Sequence, residues 1–431
     1  MDTTIAKLGE GRFASPLRLS TVNGDGIGDY MPDAARVRYQ VSFNTGQDLP
    51  ADLNFEHAGP RERIYFDPAK TRAAIVTCGG ICPGMNNVIR SAYLELAYNY
   101  GVKDVLGLRY GYAGLNPAIA EPPLQLTADF VDHLHEHGGT VLGTSRGPQS
   151  PEVMVKYLVD QGINILICVG GDGTLRGAKA IADEAIRRKL PLAIVGVPKT
   201  IDNDVCYVQR TFGVATAIER AAQVLECAHM EARSVYNGVG LVKVMGREAG
   251  FVAAGATLAS QEVNLTLIPE VPFALHGPSG ILEFLRDRLE RRHHAVVLVA
   301  EGAGQDLITA DGGTDKSGNK KLGDIGVILK QAMVDHFKSI QLPVDVKYFD
   351  PSYYVRSVRA NSDDAILCDS LARNAVHAAM SGRTAMVVSL WNSAFMHVPI
   401  VMATSGKKRV DPESTFWRSV LAATGQPRTL T

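Results

Sequence analysis

From residue 72 onward, short runs of apolar and β-branched residues alternate with longer stretches that carry apolar residues at helical spacing. Runs that are apolar at every position predict strands covered on both faces, and their alternation with helices predicts parallel sheets. The predicted strands are AAIVTC, ILICVGG, AIVGVP, VGLVKVM, LTLIPE, HAVVLVAEG and VDVKYFD. Helices are predicted to begin near Met85, Thr174 and Phe212. We therefore expect an α/β fold.

Two stretches depart from this alternation. Residues 1–70 have weak periodicity and several Gly, Pro and Asp residues, which predicts an extension that wraps or caps the core. Residues 384–406 carry no charged side chain and are long enough to span a bilayer. Because polar residues and a proline interrupt them, we interpret them as two buried strands, AMVVSLW and PIVMA.

Composition narrows the possible partners. The 431 residues carry 44 basic and 45 acidic side chains, so there is no charge excess to attract nucleic acid or an anionic membrane. Six cysteines are scattered without a zinc-binding pattern, which fits a reduced, cytoplasmic setting. The first residues contain no apolar core segment, so we expect neither a secretory signal nor a transit peptide.

Five predicted strands end in polar motifs that contain Gly or Pro, namely GGICPG, GGDGT, PKTIDND, MGR and PE. Ligands of parallel sheets bind at the carboxyl ends of the strands. One such turn could be a plain tight connection, but five together indicate a functional site. Gly79, Gly80 and Gly84 precede a predicted helix, so their backbone amides could hold a phosphate.

Charged residues at these turns suggest phosphoryl chemistry. Asp172 could bind Mg²⁺ through water, or it could simply cap the following helix. Asp202 and Asp204 lie two residues apart, and a carboxylate is the usual acceptor for the proton of an attacking hydroxyl; surface Asx-turns are the alternative. Arginine and lysine side chains can bind phosphate oxygens, and those near predicted strand ends are Arg146, Lys199, Arg247, Lys347 and Arg356.

The ordered set GGICPGMN, LGTSRG, GGDGT, PKTIDND, MGR and a late Tyr-x-x-Arg resembles the phosphofructokinases over roughly residues 72–400. That resemblance implies transfer of a phosphoryl group to the 1-hydroxyl of fructose 6-phosphate, with Mg²⁺ as cofactor. It implies a nucleotide site made by Gly79, Arg146, Gly147, Gly171, Asp172, Gly173 and Thr174, with Asp172 at the metal.

The same resemblance implies roles around the acceptor sugar. Asp202 would be the catalytic base and Arg247 would stabilise developing charge, with Lys199 and Thr200 beside them. The sugar and the transferred group would contact Thr200, Ile201, Asp202, Asp204, Met245, Gly246, Arg247 and Glu270. Tyr353 and Arg356 would clamp the 6-phosphate, and Lys347 would reach it from a neighbouring subunit.

Two departures bear on the phosphoryl donor and on regulation. Lys199 is typical of pyrophosphate-dependent members, but those usually read GGDD where this chain has Gly173. A carboxylate there would repel nucleotide phosphates by roughly 1–4 kcal/mol at about 4 Å, so we favour ATP and the long-chain ATP-dependent subgroup. Gly238 replaces an Arg of the short bacterial members, so their allosteric behaviour does not transfer. The alternatives are a pyrophosphate-dependent enzyme, a non-catalytic subunit that binds sugar phosphates, and, more distantly, an NAD kinase.

The resemblance also predicts an organisation. We expect two doubly wound lobes with mainly parallel sheets and the active site in the cleft between them. Residues 71–212, completed by about 350–405, would hold the nucleotide, 213–349 the sugar phosphate, and 406–431 would form a C-terminal tail. A loop near 305–325 reads as an insertion. We expect a homotetramer or homodimer that is an allosteric enzyme, with its effectors unassigned.

Overall fold

The computed structural model describes residues 1–42, 44–45, 53–308, 313 and 321–431. These divide into two compact units. The first comprises residues 1–200, 205–213 and 358–406, and the second comprises residues 201–204, 214–357 and 407–431. The chain therefore passes from one unit to the other within the PKTIDND segment.

The strands of the described residues range from two to seven residues in length. In chain order they are β1 (Ala6–Lys7), β2 (Phe13–Ala14), β3 (Arg36–Arg38), β4 (Asn54–His57), β5 (Arg63–Ile64), β6 (Arg72–Thr77), β7 (Asp104–Leu108), β8 (Leu124–Gln125), β9 (Ile165–Gly170), β10 (Ala193–Pro198), β11 (Gly238–Val244), β12 (Leu265–Leu267), β13 (His294–Ala300), β14 (Asp345–Phe349), β15 (Arg383–Thr384), β16 (Met386–Trp391) and β17 (Ala394–Pro399).

The α-helices of the same residues range from single turns to a helix of 20 residues. In chain order they are α1 (Met85–Leu94), α2 (Ala128–Val131), α3 (Pro151–Asp160), α4 (Asp172–Arg187), α5 (Val214–Arg233), α6 (Phe251–Ser260), α7 (Ile281–Arg292), α8 (Ile325–Ser339), α9 (Tyr354–Ser357), α10 (Ser362–Met380), α11 (Ile400–Ala403) and α12 (Thr415–Thr424). None of the helices in the described ranges is both long and apolar enough to cross a membrane.

The first unit is built on a nine-stranded sheet with the order β3-β4-β17-β16-β10-β9-β6-β7-β8. Its central strands β16, β10, β9, β6 and β7 are parallel, and the strands at both edges are antiparallel. Every residue of β9 and β10 is buried, and both strands are contacted by α4 and by α10. This agrees with the predicted α/β architecture, because only strands covered on both faces can be apolar throughout.

The N-terminal segment joins this unit through a buried ionic cluster. Glu56 on β4 accepts hydrogen bonds from Arg383, from Arg61 Nη2 (3.3 Å) and from His397 Nδ1 (2.9 Å). Burial alone would raise the pKa of Glu56, but the bonds from His397 and Arg383 hold it well below its ordinary value. Removing one partner of a buried ion pair typically costs about 3–5 kcal/mol, so residues 54–64 are firmly attached to the core.

The second unit contains a fully parallel four-stranded sheet with the order β12-β13-β11-β14. Helix α5 packs directly on β11. A Cβ atom at Gly238 would collide with the carbonyl oxygen of Ala232, so this backbone has no room for the arginine of the short bacterial members. At Gly240 a Cβ atom would lie 2.6 Å from the carbonyl oxygen of Ala228.

The structure corrects one predicted strand. The first half of residues 384–406 forms β16, as expected, but PIVMA is not a strand. The partner strand β17 comes earlier, because Asn392 (φ 48°) and Ser393 (φ 65°) make a two-residue hairpin turn. Both central residues of such a turn have positive φ when it matches the twist of the strands. Residues 400–403 are helical instead.

Two further segments differ from the predicted organisation. Residues 407–431, expected to be a tail, belong to the second unit and include α12. The predicted insertion near 305–325 falls largely outside the described residues. The functional assignments of the predicted lobes stay predictions.

Candidate active site

Three predicted phosphate-binding motifs lie at one edge of the first unit's sheet. Strands β6, β9 and β10 are neighbours and parallel, with Thr77 paired to Val169 and Gly170 paired to Pro198. The glycine loop follows β6, the GGDGT loop follows β9, and Lys199 follows β10. The carboxyl ends of the three strands therefore bring these motifs together.

Lys199 places a positive charge against the glycine loop. Its side chain is buried, and its Nζ donates to the carbonyl oxygen of Gly80 at 2.6 Å. Gly79 has φ +83°, and a Cβ atom there would lie 3.4 Å from the same Nζ. The glycine therefore permits both the left-handed turn and the close approach of the ammonium group.

The loop that carries Arg146 packs on the same glycines. Thr144 Oγ1 donates to the Gly79 carbonyl at 2.5 Å, and the Gly79 N–H donates to the Ser145 carbonyl at 3.3 Å. Arg146 Nη2 lies 3.8 Å from the position of a Cβ atom at Gly80. Gly147, with φ +106°, completes the turn. The arginine predicted for the donor site thus adjoins the predicted glycine loop.

Helix α4 begins at Asp172, directly after the diglycine, and two residues before the predicted start. A Cβ atom at Gly170 would overlap the side chain of Thr174, whereas one at Gly173 would meet nothing within 4 Å. Asp172 Oδ2 pairs with Arg176 at 3.2 Å on the next turn. The first amides of a helix, which have no intrahelical acceptor, make this loop suited to an anion.

In the second unit, Asp202 lies against the Met-Gly-Arg turn that follows β11. The Arg247 N–H donates to Asp202 Oδ2 at 3.4 Å. Burial, reinforced by the charges of Asp204 and Glu301, raises the pKa of Asp202 to about 7, although Arg247 and Lys407 act in the opposite direction. A carboxyl that is partly ionised near neutral pH is well matched to taking up a proton.

The Met245–Gly246–Arg247 turn is held by the chain that follows β13. The Gly302 N–H donates to the Gly246 carbonyl at 3.0 Å, and the Glu301 N–H donates to the Val244 carbonyl at 2.9 Å. A Cβ atom at residue 302 would collide with the carbonyl of Arg247. Gly302 therefore allows the two strand ends to touch.

Glu301 is a site residue that the sequence analysis missed. Burial raises its pKa, while Arg247 and Lys243 oppose the shift. It directly follows the last residue of β13, and a carboxylate directly after a strand that is apolar from Ala295 to Ala300 was the signal that could have identified it. Its carboxyl raises the pKa of Asp202, so the two acids lie in one electrostatic neighbourhood.

Glu270, predicted to contact the sugar, is bonded to two backbone amides. Its Oε1 and Oε2 accept from the Gly250 N–H at 3.0 and 3.1 Å, and Oε1 also accepts from the Val410 N–H at 2.7 Å. These bonds join the start of α6 to the C-terminal segment. The predicted contact with sugar stays a prediction.

The loop from Thr200 to Asp204 is fixed by local contacts. The Thr200 carbonyl accepts from Thr211 Oγ1 at 2.6 Å, Ile201 is buried, and Asn203 adopts φ +55°. Asparagine tolerates this left-handed conformation better than most residues. Asp204 Oδ2 pairs with Lys407 Nζ at 2.6 Å, a partner that the sequence did not suggest.

The predicted phosphate clamp is only partly assembled in the second unit. The Arg356 guanidinium lies over the ring of Tyr353, 4.7 Å from its centroid, and its charge acts on Glu301. Lys347 instead pairs with Asp345 on the same strand at 3.0 Å. A role for Lys347 in the site of a neighbouring subunit stays a prediction.

Comparison with known proteins decides the family. A family model described as phosphofructokinase matches residues 72–379, which is more than half of the chain. The chain belongs to the phosphofructokinase family.

Relatives of similar length agree with this assignment. An ATP-dependent 6-phosphofructokinase of Borreliella burgdorferi is 44% identical over 435 residues, covering 99% of this chain and 97% of that protein. One of Amycolatopsis methanolica is 43% identical over 437 residues, covering 99% and 95%. A pyrophosphate-dependent phosphofructokinase structure from Marinobacter aquaeolei, at 18% identity and TM-score 0.68, covers 84% of this chain and 96% of that one, and shows the shared fold alone.

Within this phosphofructokinase, two glycines of the donor loop test its geometry. Gly170→Ala should lower the free energy of unfolding of the first unit by about 1–3 kcal/mol, because its methyl group overlaps Thr174. Gly173→Ala should change it by less than about 0.5 kcal/mol, because nothing lies nearby. Trp391 belongs to the first unit and Trp417 to the second, so urea unfolding followed by Trp391 fluorescence in a Trp417→Phe background measures both. Equal stabilities would contradict the loop geometry.

Proposed function

We propose that this chain is an ATP-dependent 6-phosphofructokinase, which transfers the γ-phosphoryl group of Mg·ATP to the 1-hydroxyl of fructose 6-phosphate. The product is fructose 1,6-bisphosphate, and the reaction is a step of glycolysis. The observation that carries the proposal is Asp202, a carboxyl with its pKa raised to about 7 that accepts the N–H of Arg247. The ATP-dependent relatives, 44% and 43% identical over nearly the whole chain, support the choice of donor.

Asp202 acts as the general base. It accepts the proton of the sugar 1-hydroxyl as the oxygen attacks the phosphoryl group, so no covalent intermediate with the protein is needed. Arg247 and Lys199 supply positive charge as negative charge shifts onto the phosphoryl oxygens. The bond to the Gly80 carbonyl already fixes the Lys199 ammonium group, so this group needs to move little during the reaction.

The donor is held by the glycine-rich loops of the first unit. The backbone amides at the start of α4, from Gly171 to Thr174, and those near Gly79 bind phosphate oxygens, with Arg146 and Gly147 on the adjoining loop. Over the described residues, no cluster of three or more His, Cys, Asp or Glu side chains could hold a metal ion by itself. Asp172 alone fits Mg²⁺, which keeps most of its water and phosphate ligands. A Mg²⁺ ion held there would supply positive charge that neutralises the transferred phosphoryl group.

The acceptor is held by residues at the strand ends of the second unit. Thr200, Ile201, Asp204, Met245 and Gly246 line the sugar beside Asp202 and Arg247, and Glu270 accepts hydrogen bonds from its hydroxyls. Glu270 supports this wall through Gly250. Tyr353 and Arg356 bind the 6-phosphate, with Lys347 contributed by a neighbour in a homotetramer or homodimer. We further propose that the enzyme is cytoplasmic.

Gly173 favours ATP over pyrophosphate as donor. A Cβ atom at Gly173 would meet nothing within 4 Å, so the fold has room for the acidic side chain that pyrophosphate-dependent members carry at this position. This chain has a glycine there instead. Lys199 is the feature that favours pyrophosphate, since it is typical of that group.

The donor assignment predicts a measurable selectivity. Purified protein should form fructose 1,6-bisphosphate with Mg·ATP and not with Mg·pyrophosphate. Gly173→Asp should lower kcat/KM for Mg·ATP by roughly 5- to 1000-fold, because like charges about 4 Å apart repel by roughly 1–4 kcal/mol. The matched control Gly173→Ala, which adds volume without charge, should retain activity.

Other outcomes of that assay have definite meanings. Activity with pyrophosphate alone would show that Lys199 decides the donor. Activity with neither donor, from protein that still binds fructose 6-phosphate, would mean that the chain is a regulatory subunit.

The role of Asp202 predicts a second result. Asp202→Asn and Asp202→Ser should lower kcat by roughly 10²- to 10⁴-fold, because the proton acceptor is lost. Fructose 6-phosphate binding, measured by calorimetry, should stay close to that of the unaltered enzyme. An Asp202→Ser enzyme with near-normal turnover would rule out this carboxylate as the base.

A further inference from the structure

Residues 407–410, which we call the strap, contact three of the turns that carry the acceptor side of the site. Lys407 Nζ pairs with Asp204 Oδ2 at 2.6 Å, and the Lys408 N–H donates to the Asp204 carbonyl at 3.0 Å. The Arg409 guanidinium pairs with Glu248 at 2.8 Å, and the Val410 N–H donates to Glu270 at 2.7 Å. The strap is thus bonded to the loop of the base, to Glu248 directly after the Met-Gly-Arg turn, and to Glu270, which in turn holds the start of α6.

The chain beyond the strap is anchored rather than frayed. Helix α12 packs on α6 and β12, and its Trp417 is 1% exposed. Gln426 accepts from the Thr266 N–H at 2.7 Å and donates to the Thr266 carbonyl at 3.1 Å, while the Leu430 carbonyl accepts from Ala274 at 2.6 Å. The strap is therefore held from its far end, so Lys407 has a fixed backbone from which to act.

The ion pair of Lys407 differs from an ordinary surface pair. The Asp204 side chain is 11% exposed and that of Lys407 is 30% exposed. Arg409 and Glu248, by contrast, are 58% and 44% exposed, which is the setting in which ion pairs contribute little. Of these two ion pairs of the strap, the one next to the base loop is the one sheltered from water.

We propose that Lys407 is a positioning residue for phosphoryl transfer: its ammonium group holds the Asp204 carboxylate and so fixes the loop that carries Asp202. This inference rests on the proposed function, since it concerns the same site. We class Lys407 as a positioning residue because its 2.6 Å bond is to Asp204, through which it fixes the loop. Its sequence position, about two hundred residues after the loop, gave no hint of this role.

The charges around Asp202 make the proposal testable. Burial, Asp204 and Glu301 raise the pKa of Asp202, whereas the Arg247 N–H and the Lys407 charge lower it. Removing Lys407 takes away one of the two opposing influences and leaves Asp204 without its 2.6 Å partner. As the pH is lowered, a carboxyl base with a higher pKa becomes protonated, and therefore inactive, at a higher pH. The acid limb of the rate profile must therefore move to higher pH.

The experiment compares full-length Lys407→Met with Lys407→Arg, which keeps the charge. In Lys407→Met, the acid limb of kcat/KM for fructose 6-phosphate should move upward by roughly one pH unit. The rate at pH 7 should fall about five-fold for that reason alone and should recover at high pH. Ionisation of the substrate affects all variants equally, so differences between profiles belong to the protein. Lys407→Arg should restore most of the original profile.

Arg428→Met is the matched control. It removes a cation from the same C-terminal segment, where Arg428 faces Glu413 at 3.6 Å with both side chains largely exposed, and its profile should equal that of the unaltered enzyme. An unmoved acid limb in Lys407→Met would overturn the inference and leave the proposed function intact. Loss of activity at every pH in both Lys407 variants, with Trp417 fluorescence showing an unfolded second unit, would overturn it in favour of a merely structural role. An inactive unaltered enzyme would overturn both proposals together.

Discussion

A strand that is buried on both faces has no favourable position for an unpaired polar side chain, and this constraint determines where the chemistry of the chain can lie. All residues of β9 and β10 are buried and apolar, and the one charged side chain of the buried strand β11, Lys243, lies next to its last residue and is paired with Asp324 and Asp350. Polar groups therefore collect at the strand ends, where backbone amides and side chains reach one edge of each sheet. The glycine loops, Lys199 and Arg146 occupy that edge in the first unit, and Asp202, Arg247 and Glu301 occupy it in the second.

Burial also disfavours the ionised form of the Asp202 and Glu301 carboxyl groups. Burial, reinforced by the nearby acids Asp204 and Glu301, raises the pKa of Asp202 to about 7. Lys407 is bonded to Asp204, and Arg247 offers its N–H to Asp202. The balance leaves a carboxyl that can exchange a proton near neutral pH, which an isolated aspartate with a pKa near 4 could do only weakly.

Much of this could be predicted from the sequence, because wholly apolar runs and glycine motifs are local signals. The parallel strands, the start of α1 at Met85 and the positions of the glycine loops follow from them, and the family follows from the order of the motifs. What failed depended on contacts between distant residues or on unusual backbone angles. The hairpin at Asn392 and Ser393 moved a strand by several residues, and Lys407 reaches Asp204 through a segment that read as a tail.

If Asp202 takes up the proton of the attacking hydroxyl, its ionisation must control turnover. We would therefore measure the pH dependence of kcat at saturating Mg·ATP and fructose 6-phosphate. The pH dependence of kcat reports groups in the enzyme–substrate complex. Because the base must be ionised to act, we expect kcat to fall as pH drops through about 7, the value to which the pKa of Asp202 is raised. A kcat that stays level down to about pH 5, as an ordinary carboxylate would give, would show that Asp202 is not the base with a raised pKa.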